Sequence, residues 1–217
     1  MDTPKNLPVL DAAQIRVLGA LMEKSKTTPD YYPMTLNGLT AACNQKTSRK
    51  PVVQFDESTV TTALNSLKIA GLISTATGGS IRNIKYKHNF AIAFPVLPSE
   101  VAVMCLLFLR GPQTPGEINT NSGRLYEFET LEEVQQVLEK LASDEPAYIK
   151  QLPRKPGQKE QRYMHLFAGD IEDFEEEHIA EESSKSNSDL AERLTKVEEE
   201  LAELKTNFDK LMKELMG

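Results

Sequence analysis

The chain has few of the residues that usually carry chemistry: two cysteines and three histidines in 217 residues. Cys43 and Cys105 are isolated from each other and from the histidines, so no spacing resembles a zinc site. Each lies in an apolar helical pattern, where a free thiol behaves as a small hydrophobe, and no disulfide is expected between them. There is no glycine-rich phosphate loop: Gly78-Gly79 reads as a turn, and Gly38 lies inside a helical pattern with no strand before it. Acidic pairs such as Glu132-Glu133 fit solvated helix faces. No catalytic residue, metal or cofactor is therefore assigned, and the expectation is a protein that is not an enzyme. No run of about 18 apolar residues occurs, which excludes a membrane-spanning helix. The N-terminus, MDTPKNLPVLD, lacks the charged-then-apolar layout of a signal peptide, so the cytoplasm is the expected compartment.

What is present is ordinary globular composition, 40% hydrophobic and 26% charged, with an uneven charge distribution. Residues 1–169 hold 19 Lys+Arg against 16 Asp+Glu, a net +3, whereas residues 170–217 hold 6 against 16, a net −10. A mildly basic body thus carries a strongly acidic tail.

Along the body, Asp11 is placed to cap a helix with apolar Ile15, Val17, Leu18, Leu21 and Met22, ending near Lys26 before Thr27-Thr28-Pro29. Thr35 caps a second short helix to about Asn44. Pro51–Phe55 is extended, a short strand or linker. Asp56 caps a third helix built on Val60, Ala63, Leu64 and Leu67 and closed at Gly71. Leu72–Thr77 and Asn83–Phe90 then read as a β-hairpin. Three helices and a hairpin is the element order of a winged helix, whose third helix can enter the DNA major groove.

The second half repeats the plan. Ile15–Leu18 aligns with Val101–Met104, Thr28-Pro29 with Thr114-Pro115, and Val60, Ala63, Leu64 and Leu67 with Val134, Val137, Leu138 and Leu141. Lys85-Tyr86-x-His88-x-Phe90 matches Arg162-Tyr163-x-His165-x-Phe167. The expected architecture is mainly α with small β-hairpins (α+β): a winged-helix domain over 1–94 and a second over 95–169. An acidic linker (170–188) and a coiled-coil helix (189–217) follow. Asp189 with Glu192 forms a capping box, and Leu190, Leu194, Val197, Leu201, Leu204, Phe208, Leu211 and Leu215 make a heptad seam of about four heptads. That seam predicts a homodimer, with charges that leave the helix direction open.

Duplex DNA is the first candidate partner. Lys46, Arg49 and Lys50, with Arg82 and Lys85, give the first domain a basic edge, and Arg154, Lys155, Lys159 and Arg162 surround the second hairpin loop. On the third helix, Thr59, Thr62 and Asn65 can hydrogen-bond base edges or phosphates. Against this, that helix starts with Asp56-Glu57, and its counterpart carries Glu129, Glu132, Glu133 and Glu139. The alternative is a protein–protein interaction scaffold.

The stretch Thr27–Pro51, with TTP, Tyr32-Pro33 and the run NGLTAACNQKTSRKPV, resembles the bacterial YceH-like family. So do LLFLRGPQTPGEI (106–118), RLYEF (124–128) and RYMHLFAGDIED (162–173). The resemblance covers about residues 8–173 plus a heptad-like tail. It implies a tandem winged-helix fold and carries over no catalytic or ligand-binding residue.

Overall fold

The computed structural model describes residues 6–77, 84–154 and 160–169. The acidic linker, the heptad residues Leu190 to Leu215 and both hairpin tips lie outside the described residues. Residues 1–169 form one compact unit of mixed α+β structure.

Helix α1 (Ala12–Thr27) starts at an Asp11 capping box: the Asp11 carboxylate accepts from Gln14 N–H and the Gln14 side chain accepts from Asp11 N–H. A 3-10 turn (Pro29–Tyr31) leads into the two-residue strand β1 (Met34–Thr35), and Thr35 caps α2 (Leu36–Cys43). Residues 51–55 form no strand. They are held by Asn44, whose side chain donates to Phe55 O at 2.7 Å and accepts from Phe55 N–H at 2.8 Å. Asp56 caps α3 (Glu57–Ile69), which closes at Gly71 with φ +74 before β2 (Ile73–Thr77) and β3 (Ile84–His88). The three strands form an antiparallel sheet in the order β1-β3-β2.

A short helix α4 (Phe90–Ala93) leads to α5 (Pro98–Arg110), with Pro98 at its first turn and Gly111, φ +72, past its end. Helices α6 (Pro115–Ser122) and α7 (Leu131–Ser143) are capped by Thr114 and Thr130. Strands β4 (Ile149–Gln151) and β5 (Tyr163–His165) pair antiparallel, and Gln113 bridges Tyr163.

That bridge corrects the register of the repeat around the Thr-Pro pair. Met34 pairs with Tyr86 and Gln113 with Tyr163, so the counterpart of Thr114 is Thr35, each capping the helix that follows. Thr28-Pro29 instead opens a 3-10 turn that precedes β1 and has no equivalent before α6.

Helix α5 is buried from Ser99 to Leu109 and packs against α1, α6, α7 and β5. A helix apolar on all sides belongs at the centre of a core. Gly19 lets α1 approach it: a Cβ there would meet Leu109 Cδ2 at 2.9 Å and Phe108 Cβ at 3.0 Å. At one end of this contact Phe167 packs against Phe90, Phe94 and Phe108, with ring centroids 5.3–5.6 Å apart. Phe90 and Phe167, the repeated phenylalanines, therefore meet in one shared core.

Candidate nucleic-acid interface

The basic residues divide by what holds their side chains. In the loop after α2, Lys46 and Lys50 are exposed, but Arg49 is buried with no exposed side-chain surface. Its Nη2 donates to Glu23 Oε2 at 2.7 Å and to Ala42 O at 3.1 Å; Nη1 donates to Glu23 Oε1 at 3.1 Å and to Ser48 O at 2.9 Å. Arg49 is therefore not a phosphate contact. Its fork matches a carboxylate and two backbone carbonyls. Burial raises the Glu23 pKa, but the hydrogen bonds and charge of Arg49 outweigh it and leave the carboxyl below its usual value.

Arg16 of α1 works beside it, donating to Cys43 O at 3.2 Å and Pro51 O at 2.6 Å. Two buried guanidiniums thus fix both ends of the 44–51 loop. The loop is also tied to α5: Lys50 N–H donates to Leu109 O and Arg110 Nη2 to Ser48 Oγ, both at 2.9 Å. Sequence reasoning missed Arg16, although a lone cation between Ile15 and Val17 in an apolar helix face is a visible signal for a buried donor.

The tyrosine–proline step has a comparable role. Tyr32 OH accepts from His88 N–H at 2.7 Å, and burial pushes its pKa up to about 12. His88 Nε2 lies 3.2 Å from Ser25 Oγ, whose hydroxyl donates to Met22 O, and Nδ1 accepts from Phe90 N–H at 3.3 Å. Those partners require the neutral ring with its proton on Nε2. Burial holds both His88 and His165 down to about 4.

On α3, Ser58, Thr62 and Asn65 form an exposed, uncharged stripe continued by Lys68 and Ile69. Thr59 is half-buried and Thr62 Oγ1 donates to Ser58 O at 3.0 Å. Ser58, Thr59 and Thr62 line a shallow groove with Asp11, Phe55 and the start of α1. Asp56, held below its usual pKa by hydrogen bonds from Thr59 and Ser58, adds negative charge at the same end. The uncharged middle of α3, rather than its N-terminus, is the part that suits a polyanion.

Lys85 is half-buried on β3, opposite Thr35 and Ala76, and Lys87 is exposed. Arg154 is exposed after β4. Arg162 is occupied within the body: Nη1 donates to Pro112 O at 2.8 Å and Nη2 to Glu117 Oε1 at 3.0 Å, which clamps β5 to the start of α6. With its side chain 28% exposed, Arg162 acts as a structural clamp while keeping part of its guanidinium at the surface. Arg82, Lys155 and Lys159 lie outside the described residues. On α7, Glu132 and Glu139 are exposed, while Lys140 pairs with the buried Glu100 of α5.

No helix among the described residues is long and apolar enough to cross a membrane. A family model described as "Protein of unknown function, DUF480" matches residues 10–158. The chain is 54% identical to a UPF0502 protein of Solibacter usitatus over 167 residues, 77% of this chain and 80% of that one. It is 42% identical to a UPF0502 protein of Shewanella loihica over 210 residues, 94% of this chain and 98% of the other. It is likewise 42% identical to the UPF0502 protein YceH of Escherichia fergusonii over 211 residues, 95% and 97% of the two chains. With a motif-bearing loop that the fold pins at both ends and relatives aligned over nearly their full length, the chain belongs to the bacterial DUF480/UPF0502 family.

Proposed function

We propose that the chain is a tandem winged-helix protein that binds duplex DNA as a dimer, a binding protein rather than an enzyme. The observation that carries this reading is the element order α1-β1-α2-α3-β2-β3 with sheet order β1-β3-β2, followed by a second run of three helices and a hairpin. In such a module the third helix docks in the major groove and the hairpin meets the backbone. The uncharged stripe of Ser58, Thr62 and Asn65 supports α3 as the reading helix, with Lys46, Lys50, Lys68 and Arg154 as exposed cations around the body. The heptads from Leu190 to Leu215 would pair two chains, and two coupled readers gain affinity through effective concentration.

The test is a gel-shift titration of the full chain on duplex DNA at low salt. Binding that weakens when Arg154, Lys155 and Lys159 are changed to Ala is the expected result. No binding, or binding indifferent to that change, contradicts the proposal.

A second reading, a protein-interaction scaffold, is favoured by α7, whose exposed Glu132 and Glu139 would repel phosphate. Partners captured from a bacterial lysate that survive nuclease treatment and depend on residues 187–217 would select it.

A further inference from the structure

Helices α3 and α7 are each thirteen residues long and start directly after their caps, Asp56 and Thr130, so they align residue for residue. On α3 the outward stripe, at helical spacings of four and three, is Ser58, Thr62, Asn65 and Ile69, all exposed. On α7 the same positions hold Glu132, Gln136, Glu139 and Ser143. Two carboxylates on the second stripe repel a polyanion, and the first stripe carries no charge. Of the two third helices, α3 is therefore the one able to meet DNA bases.

The hydrogen bonds of α3 narrow what its stripe can read. Ser58 Oγ donates to Asp56 Oδ1 at 2.9 Å, and Thr62 Oγ1 donates to Ser58 O at 3.0 Å. Each hydroxyl proton is used locally, and Thr62 keeps its methyl for an outside contact. Asn65 makes no side-chain hydrogen bond among the described residues. Ile69 is 90% exposed, more than any other large hydrophobic residue described. The stripe thus offers a free amide flanked by apolar groups. Lys68 is exposed but lies about 100° round the helix from Ile69, toward a groove wall rather than the base edges.

In the major groove an asparagine amide donates to adenine N7 and accepts from N6, apolar groups meet the thymine 5-methyl, and guanine is read by Arg or Lys. We propose that α3 selects A·T base pairs, with Asn65 on an adenine and Ile69, helped by the Thr62 methyl, on thymine methyls. This rests on the DNA-binding reading and adds the base pair that the helix prefers. Asn65 and Ile69 stand four residues apart, about 6 Å along the axis, close to two base-pair steps.

The test is fluorescence anisotropy of the full chain on duplexes of equal length at one low salt concentration. An A·T-rich duplex should bind at least about fivefold more tightly than a G·C-rich one. A·T tracts also narrow the minor groove, so base analogues decide where the preference arises. Replacing adenine by 7-deazaadenine removes N7, and replacing thymine by uracil removes the methyl; both leave the minor-groove edges unaltered. Each should weaken binding of the unsubstituted chain at least about threefold. Asn65→Ala should make binding indifferent to 7-deazaadenine, and Ile69→Ala should make it indifferent to uracil. Both positions are exposed and alanine favours helix, so these variants fold. Equal affinity for the two duplexes, or a preference for G·C, overturns the inference and leaves the DNA reading standing. So does an A·T preference that the analogues or the two substitutions do not change. Absence of binding to any duplex overturns both.

Discussion

Arg49 is the residue whose role changes most between sequence and structure. In the sequence it belongs to a basic triplet with Lys46 and Lys50; in the fold it is a buried fork on Glu23. Truncating one partner of a buried pair leaves the other charge uncompensated. Arg49→Ala should therefore cost about 3 kcal/mol in urea unfolding, the lower end for such pairs because Lys24 also lies 3.1 Å from Glu23. The Glu23 contribution is present above the ordinary carboxylate pKa of 4.5 and is lost as pH falls below it. Glu23→Gln should remove that acid-side loss. The two strand histidines act at higher pH. Folding lowers each from 6.5 to about 4, so the unfolded chain binds more protons between those values. Stability should fall as pH drops from 6.5 toward 4, by on the order of 3 kcal/mol per histidine, and Gln at both positions should flatten the profile. An unfolding free energy constant over that window would contradict the neutral, buried assignment.

Among the elements, helix ends were legible because capping is local chemistry. Asp11, Thr35, Asp56 and Gly71 mark the boundaries that the structure has, since each acts on a backbone group within a few residues. Strand β1 was not legible: two residues make no period, and Met34–Thr35 is a strand only because β3 runs beside it. The same limit explains Arg49 and Arg162. A charged residue in a polar loop looks the same in sequence whether it meets solvent or a distant Glu23 or Glu117. The central place of α5 did have a signal, the unbroken apolar run from Val101 to Leu109, which no surface helix could carry. Its contact with α1 rests on Gly19, where a side chain would strike Leu109 and Phe108. Helix propensity favours replacing that glycine by about 1 kcal/mol, but overpacking costs about 1–3 kcal/mol. Gly19→Val, β-branched and larger, should lose at least about 2 kcal/mol in thermal or urea unfolding. A gain in stability would show that α1 and α5 are not tightly apposed.

At the scale of the whole molecule, the two halves share one core. Phe90 and Phe167, equivalent in the repeat, pack together, and the 44–51 loop is bonded to α5. The loop that most clearly marks the family is thus a structural fastener, leaving Lys46 and Lys50 as its exposed cations. If the proposed DNA binding holds, stability and DNA affinity are separable: changes at Arg49 should act on the first, and changes at Lys46 and around the second hairpin tip on the second. The most direct test of the DNA-binding proposal is the salt dependence of full-chain binding to duplex DNA, measured by fluorescence anisotropy. The logarithm of affinity should fall linearly with the logarithm of salt concentration. Changing Lys46, Arg154, Lys155 and Lys159 together to Ala should lower that slope by roughly 1 per phosphate contact removed. Absence of binding at low salt, or a slope unchanged by those four substitutions, would contradict the account.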